Sequence, residues 1–257
     1  MDTQSYGLAL SGDGARSFAH IGVFKALEEF GIQPEVISGT SMGAVLGAFI
    51  AAGYTFSELE KIIKNRSQSG LLKMVLPNLE VASHEPIRKI LKDFLPENIE
   101  DLKIPMHISA TNLTLGKNVI FTKGNLADAA IASCSIPITF KPIQINGDYY
   151  VDGGFTKNLP ASTIRSKCEV LIGSQVNFID KEAGIDSMYH ILERCYRIGI
   201  NNSVRTDRAI CNILIEPQVL EQFDPLNFRE SAKIIDIGYH AAHKVLKQYQ
   251  EDLNYKR

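Results

Sequence analysis

Ser41 lies in Gly39-Thr40-Ser41-Met42-Gly43, a GxSxG pattern set between a short apolar run, Val36 to Ser38, and an apolar stretch of helical spacing, Met42 to Ala52. A serine at a sharp strand-to-helix turn can act as an acyl-transfer nucleophile. The glycines remove side chains where the backbone doubles back. The helix N-terminus beneath offers free amides and a positive dipole end to a developing oxyanion. The same five residues could also be a plain glycine-rich turn that packs strand on helix.

A second loop of this kind stands earlier, at Gly12-Asp13-Gly14-Ala15-Arg16-Ser17, after the strand pattern Tyr6 to Leu10 and before the helical pattern Ala15 to Phe30. Its amides could face an anion. Gly12-x-Gly14-x-x-Ser17 nearly matches a dinucleotide fingerprint, but the second strand ends in Ser38-Gly39-Thr40-Ser41 where a ribose-binding acid would stand, and no GK[ST] follows for a Walker loop. The oxyanion of acyl transfer at Ser41 is the other candidate anion. One βαβ unit carries both loops to the same sheet edge, so that reading accounts for both.

A serine nucleophile needs a base. The histidines are His20, His84, His107, His190, His240 and His243. An α/β-hydrolase places its elbow after several strands, whereas this elbow follows the second, and the histidines read better as packing or surface residues. Asp152, in Val151-Asp152-Gly153-Gly154 after an apolar hairpin, is the better candidate. Such a turn can fix a carboxylate, although many Asp-Gly-Gly segments are only turns.

The elements that must position these residues alternate strand and helix at the start, which predicts a βαβ unit with parallel strands. Gly31 and Gly53 close the first two helices. Further on, the pattern predicts a helix over His84–Phe94, strands over Met106–Thr111 and Asn118–Thr122, and a short helix over Leu126–Ser133. A hairpin follows, turning at Asn146-Gly147. Beyond it come a strand over Glu169–Ser174, a long helix over Asp186–Arg208, a strand over Ile213–Ile215 and a terminal helix over Glu230–Tyr249. No linker divides the chain, so residues 1–257 read as one domain.

Composition sets the outer bounds. The chain has 257 residues, 45% hydrophobic, and a net charge of -2, with no Lys/Arg run beyond a pair. This gives no electrostatic reason to expect nucleic-acid binding. The N-terminus lacks the apolar core of a signal peptide and no apolar run is long enough to span a bilayer. The four cysteines, with no CxxC pair, read as reduced and mostly buried thiols. Cytoplasmic placement is the expectation.

Taken together, Leu10-Ser11-Gly12-Asp13-Gly14-Ala15-Arg16, His20-Ile21-Gly22-Val23, Gly39-Thr40-Ser41-Met42-Gly43 and Asp152-Gly153-Gly154 resemble the patatin-like phospholipase family. The runs Ala132 to Pro137, Phe140-Lys141-Pro142 and Asn158-Leu159-Pro160 resemble the segments around that family's acid. The likeness covers roughly residues 6–165, the remainder reading as mainly helical completion. It implies a three-layer α/β/α sandwich with a mostly parallel central sheet. It also implies a Ser41–Asp152 dyad with no histidine, metal or cofactor, and an oxyanion hole from Gly12, Asp13 and Gly14. Arg16, Gly39, Gly43, Gly153 and Gly154 would support the motif. The implied activity is hydrolysis of acyl esters in phospholipids or lysophospholipids.

Asp13 and Ser17 depart from the family pattern, which has glycine at both positions. A carboxylate at 13 would oppose an oxyanion unless turned outward or paired with Arg16, and we expect it to point away from the site. A lipid substrate implies transient contact with a membrane surface; the oligomeric state is not legible. Leu71–Pro77 reads first as a buried helical turn and second as a lid. Met188, Ile191, Leu192, Cys195, Tyr196 and Ile198 read as core packing ahead of a fatty-acyl wall. Lys233, Lys244, Lys247 and Glu251 read as a solvated face. Two other functions stay open: an acyltransferase using the same dyad, and a regulatory lipid-binding protein with weak catalysis.

Overall fold

The computed structural model describes residues 4–67, 83–137, 139–179 and 186–255. The segment Leu71–Pro77 lies outside the described residues. β1 (Tyr6–Leu10), α1 (Ala19–Glu29) and β2 (Pro34–Thr40) form the expected unit, and β2 passes through Ser41 alone into α2 (Met42–Ala51). α3 (Phe56–Ser67), which the sequence pattern did not single out, and α4 (Glu85–Phe94) follow, then β3 (Met106–Asn112), β4 (Lys117–Phe121) and α5 (Leu126–Cys134). The hairpin of β5 (Ile143–Ile145) and β6 (Asp148–Asp152) turns on Asn146 and Gly147 at φ 51° and 91°, as a primed turn requires. After it come α6 (Gly154–Lys157), β7 (Val170–Ser174), α7 (Met188–Ser203), α8 (Arg205–Ala209), β8 (Ile213–Ile215) and α9 (Ser231–Tyr255).

The strands order as β5-β6-β3-β2-β1-β7-β8, with β4 also paired to β3. The run from β3 to β8 is parallel, while β4, β5 and β6 add antiparallel neighbours at one side. Parallel strands are covered on both faces, and β1 shows it. Leu8 and Leu10 enter the main core with α1, α2, α5 and α9. Ala9 faces a smaller cluster with Leu159, Ile164, Leu171 and Val204.

Register brings the chemistry together. Leu10 pairs with Gly39, Thr40 with Ser109, and Ala110 with Asp152. The loop after β1, the elbow after β2 and the end of β6 therefore meet at one edge of the sheet. β2 and β7 flank β1, and such a reversal of strand order opens a crevice for ligand.

Two expected helices differ. Ala15–Phe30 is a 3-10 turn, Gly14–Phe18, followed by α1, because Arg16 N bonds the Asp13 carbonyl three residues back at 3.1 Å. The long helix over 186–208 divides at Val204 into α7 and α8. On α9, Lys233, Lys244, Lys247 and Glu251 are exposed as expected, while Ile234, Gly238, Ala242 and Leu246 face inward. α9 lies close against α1, where side chains at Gly22 or Gly238 would meet the opposite backbone.

Candidate active site

Ser41 sits at φ 54°, ψ −131°, a left-handed conformation costly for a side-chain-bearing residue, and is buried at the start of α2. The turn is held by packing that only glycine permits. A Cβ at Gly39 would lie 2.7 Å from Ala44 Cα, and one at Gly43 would strike the Leu10 and Ser11 carbonyls. The Ser41 amide donates to Ser133 Oγ at 2.7 Å, and that hydroxyl donates to the Ser109 carbonyl at 2.6 Å. Two serines thus tie the elbow to β3.

Asp152 ends β6 and is 2% exposed. Its amide bonds the Ser135 carbonyl and its carbonyl accepts from Thr111 Oγ1, both at 2.9 Å. Oδ1 accepts the Gly154 amide at 2.7 Å, and a side chain at Gly154 would crowd that same oxygen. The Tyr196 hydroxyl hydrogen-bonds the carboxylate, and the Ser41 hydroxyl lies beside it and favours its ionised form. The Asp152 carboxyl stands at about 6, raised chiefly by burial and further by the Asp13 charge, while these hydroxyls and the Gly154 amide hold it down.

In the first glycine loop, a Cβ at Gly12 would approach Ser41 Cβ to 2.7 Å, so the loop lies directly on the elbow. Asn158 grips Gly12 at both ends: Oδ1 accepts its amide at 3.1 Å and Nδ2 donates to its carbonyl at 3.0 Å. The Asp13 amide donates to Ser17 Oγ at 3.1 Å. The left-handed residue of the loop is Gly14, at φ 52°. Among the described residues the Gly14 amide has no acceptor.

The Asp13 carboxylate is turned onto Arg16, Oδ2 to Nη1 2.8 Å. It does not leave the site as expected from the sequence: Asp13 lines the cavity and its charge is felt by Asp152. Arg16 is itself buried and donates to the carbonyls of Phe223, Phe178 and Glu221 at 2.7 to 2.9 Å. It is a strut for the loop.

These groups open on a cavity of about 80 Å3 that Ser41, Asp152 and Gly14 share with Asn177, Tyr196 and Arg197. Asn177 Oδ1 is buried there with no hydrogen-bond partner among the described residues. Tyr196 was expected in the core and lies against the carboxylate instead, its ring stacked on Phe155 at 6.0 Å. The rest of its stripe is also not core: Met188, Ile191, Leu192 and Ile198 are 41–70% exposed. Of the cysteines only Cys134 is buried, and Cys195 is exposed.

Histidine is used structurally. His20 Nε2 meets the Ser11 carbonyl at 2.8 Å, so it carries the proton, and Nδ1 accepts from Ser174 Oγ at 2.8 Å. Burial lowers His20 to about 4 and keeps it neutral. His84 stacks on Phe140 and contacts Ser135 Oγ at 3.0 Å, and the carbonyl of Ser135 accepts the Asp152 amide.

Ser133 and Asn158 fall within sequence runs already singled out, but nothing local assigns them a partner. Asn177 carries no sequence signal and Tyr196 only that of an apolar stripe, since each reaches the site through the fold.

A strained serine between parallel strand and helix, under a glycine loop and beside a buried carboxylate, defines an α/β protein of the nucleophile-elbow class. Comparison with known proteins narrows this. The patatin-like phospholipase family matches over residues 8–164, and the chain belongs to that family. It is 40% identical over 220 residues to an uncharacterized NTE family protein of Mycobacterium bovis, covering 84% of this chain and 60% of that one. It is 27% identical to Lysophospholipase NTE1 of Kluyveromyces lactis, covering 96% of this chain and 20% of that one. The chain thus spans only part of the length of these relatives. VipD from Legionella pneumophila shares the fold, with a TM-score of 0.53 at 15% identity over 95% of this chain and 67% of that one.

Proposed function

We propose that this protein hydrolyses carboxylic esters of phospholipids or lysophospholipids through an acyl-enzyme on Ser41, with Asp152 as the base. The observation that carries the reading is the Ser41 hydroxyl placed beside a buried carboxylate that is lifted to about 6. An ordinary aspartate is a weak base at neutral pH; this one is matched to work at pH 6 to 8.

Asp152 accepts the hydroxyl proton as Ser41 Oγ attacks the ester carbonyl. The Gly14 amide, unengaged and at the cavity wall, donates to the oxyanion, while the Gly12 and Asp13 amides hold the loop through Asn158 and Ser17. The protonated Asp152 returns the proton to the leaving alcohol. Water then gives its proton to Asp152 and attacks the acyl-enzyme, and Asp152 passes that proton to the departing Ser41 oxygen, which restores both residues as the fatty acid is released. Pairing with Arg16 offsets the Asp13 charge near this path.

The exposed apolar residues of α7, with Phe155 and Leu226 also exposed, support contact with a lipid surface beside the cavity. Similarity to the Lysophospholipase NTE1 of Kluyveromyces lactis supports the substrate class.

A fluorophosphonate probe should label the protein, and Ser41→Ala should abolish labelling. Asp152→Asn should abolish turnover with the fold retained. Turnover within a few-fold of wild type in Asp152→Asn rejects the dyad.

A further inference from the structure

Among the described residues, four buried side-chain atoms lack a hydrogen-bond partner: His107 Nδ1, Gln175 Oε1, Asn177 Oδ1 and Glu216 Oε1. Of these residues only Asn177 lines the cavity that opens on Ser41. It is 2% exposed, and a buried amide oxygen without a donor is costly. The backbone fixes its position. Gln175 Nε2 donates to the Asn177 carbonyl and the Val176 amide to Ser11 Oγ, both at 2.9 Å. Asn177 thus stands three residues beyond β7, held beside the loop that carries Gly12 and Asp13.

The amide is oriented as well as placed. The Asn177 side chain lies beside the Asp13 carboxylate and favours its ionised form. An ionised carboxylate only accepts hydrogen bonds, so the amide presents its Nδ2 group to it. Oδ1, on the other arm of the planar amide, is then turned from Asp13 and offers an acceptor. Arg16, with Nη1 2.8 Å from Asp13 Oδ2, keeps the carboxylate in place. This gives a use to an acid that stands where the family pattern has glycine.

We infer that Asn177 is a specificity-determining residue, accepting a hydrogen bond from a free hydroxyl on the alcohol half of the ester, and that Asp13 is the positioning residue that fixes its amide. This deepens the hydrolase reading and rests on it. The donor follows from chemistry. An acceptor with no donor from the protein is matched by an O–H or N–H of the substrate. An ammonium brings a hydration shell that one amide oxygen does not replace, and Arg197 on the same cavity wall opposes its charge. A neutral hydroxyl needs only the one acceptor. A glycerol unit with one acyl chain carries such a hydroxyl next to the ester carbon. Once that position is acylated the donor is gone, and Asn177 Oδ1 is left without a match.

The test is the cleavage of octanoate esters in two pairs of matched size: hydroxyethyl against propyl, and methoxyethyl against butyl. Asn177→Leu should lower the hydroxyethyl-to-propyl ratio of kcat/KM at least tenfold from its wild-type value, the loss expected when a buried acceptor for a substrate hydroxyl is removed. The methoxyethyl-to-butyl ratio should stay within twofold, because an ether has no proton to give. A hydroxyethyl-to-propyl ratio within twofold of wild type overturns the role of Asn177. So does an equal fall in both ratios, which would mean polarity and not a donated proton. Because each readout is a ratio, partial loss of folded enzyme does not mask it. Asp13→Gly frees the amide to turn, and Nδ2 can then serve the ether oxygen. Its methoxyethyl-to-butyl ratio should rise at least threefold, which a merely structural role for Asp13 would not produce; an unchanged ratio overturns the positioning role. A second arm uses calorimetry on Ser41→Ala. Binding of hydroxyethyl octanoate at least fivefold tighter than of propyl octanoate, with the difference lost on adding Asn177→Leu, supports the contact even where no ester is cleaved, which would sink only the hydrolase reading. Equal binding of the two esters overturns the contact while leaving the dyad standing.

Discussion

Tyr196, on α7, donates its hydroxyl to the Asp152 carboxylate, a residue of β6 forty-four positions earlier in the chain. The contact joins the helix over the cavity to the proposed base. It stabilises the ionised carboxylate and so opposes the rise that burial imposes. Removing the hydroxyl in Tyr196→Phe should therefore raise Asp152 above about 6, and since the base works ionised, the acid limb of the kcat/KM profile should move to higher pH. A limb that stays in place or moves down would show that the phenol does not act on the base.

The same burial has a consequence for stability. The Asp152 carboxyl is raised from 3.8 to about 6 in the folded state. A raised carboxyl leaves stability intact below its unfolded value and removes it as pH rises through the folded value. At 1.36 kcal/mol per unit the cost of the ionised form is about 3 kcal/mol. Asp152→Asn escapes that cost and keeps an acceptor for the Gly154 amide. Its melting temperature should match wild type near pH 4 and exceed it by roughly 6–12 °C at pH 8. Equal melting temperatures at pH 8 would mean that the carboxylate is not desolvated as described.

Arg16 and Asp13 form the other buried pair, and Arg16 also satisfies three carbonyls. Breaking a buried pair from one side leaves an uncompensated charge and costs about 3–5 kcal/mol. Arg16→Met should show that loss in chemical denaturation. Arg16→Met combined with Asp13→Gly should recover part of it, because the stranded carboxylate is gone. A double variant no more stable than the single would assign the loss to the carbonyls alone.

The sequence made the elbow, the glycine loop and Asp152 legible because each is a local device. Glycine is needed where backbone meets backbone, as at Gly39 and Gly43, and an Asn-Gly turn declares its hairpin. The partners that complete the site are not local. Asn158 meets Gly12 across 146 positions and Ser133 meets Ser41 across 92, so their roles come from strand order and register. The misreading of α7 has a related cause. Apolar residues at helical spacing look alike whether they face a core or a surface, and Tyr196 on the same helix turned out to face a carboxylate.

That exposed face gives a last prediction. Met188, Leu192 and Ile198 are exposed on the helix that also supplies Tyr196 and Ile200 to the cavity. Large apolar side chains left in water on a helix that also borders the proposed lipid-ester site fit a surface that enters the headgroup region, where each contributes burial on contact. Replacing all three by serine should weaken co-sedimentation with phosphatidylcholine vesicles at least fivefold. Hydrolysis of vesicle-borne lipid should fall with it, and the cleavage of a monomeric short-chain ester should be affected far less, because the dyad, the glycine loop and the cavity are built from other residues. Equal losses on both substrates would point to a structural role for the stripe. Unchanged vesicle binding would move the lipid contact to another face of the protein.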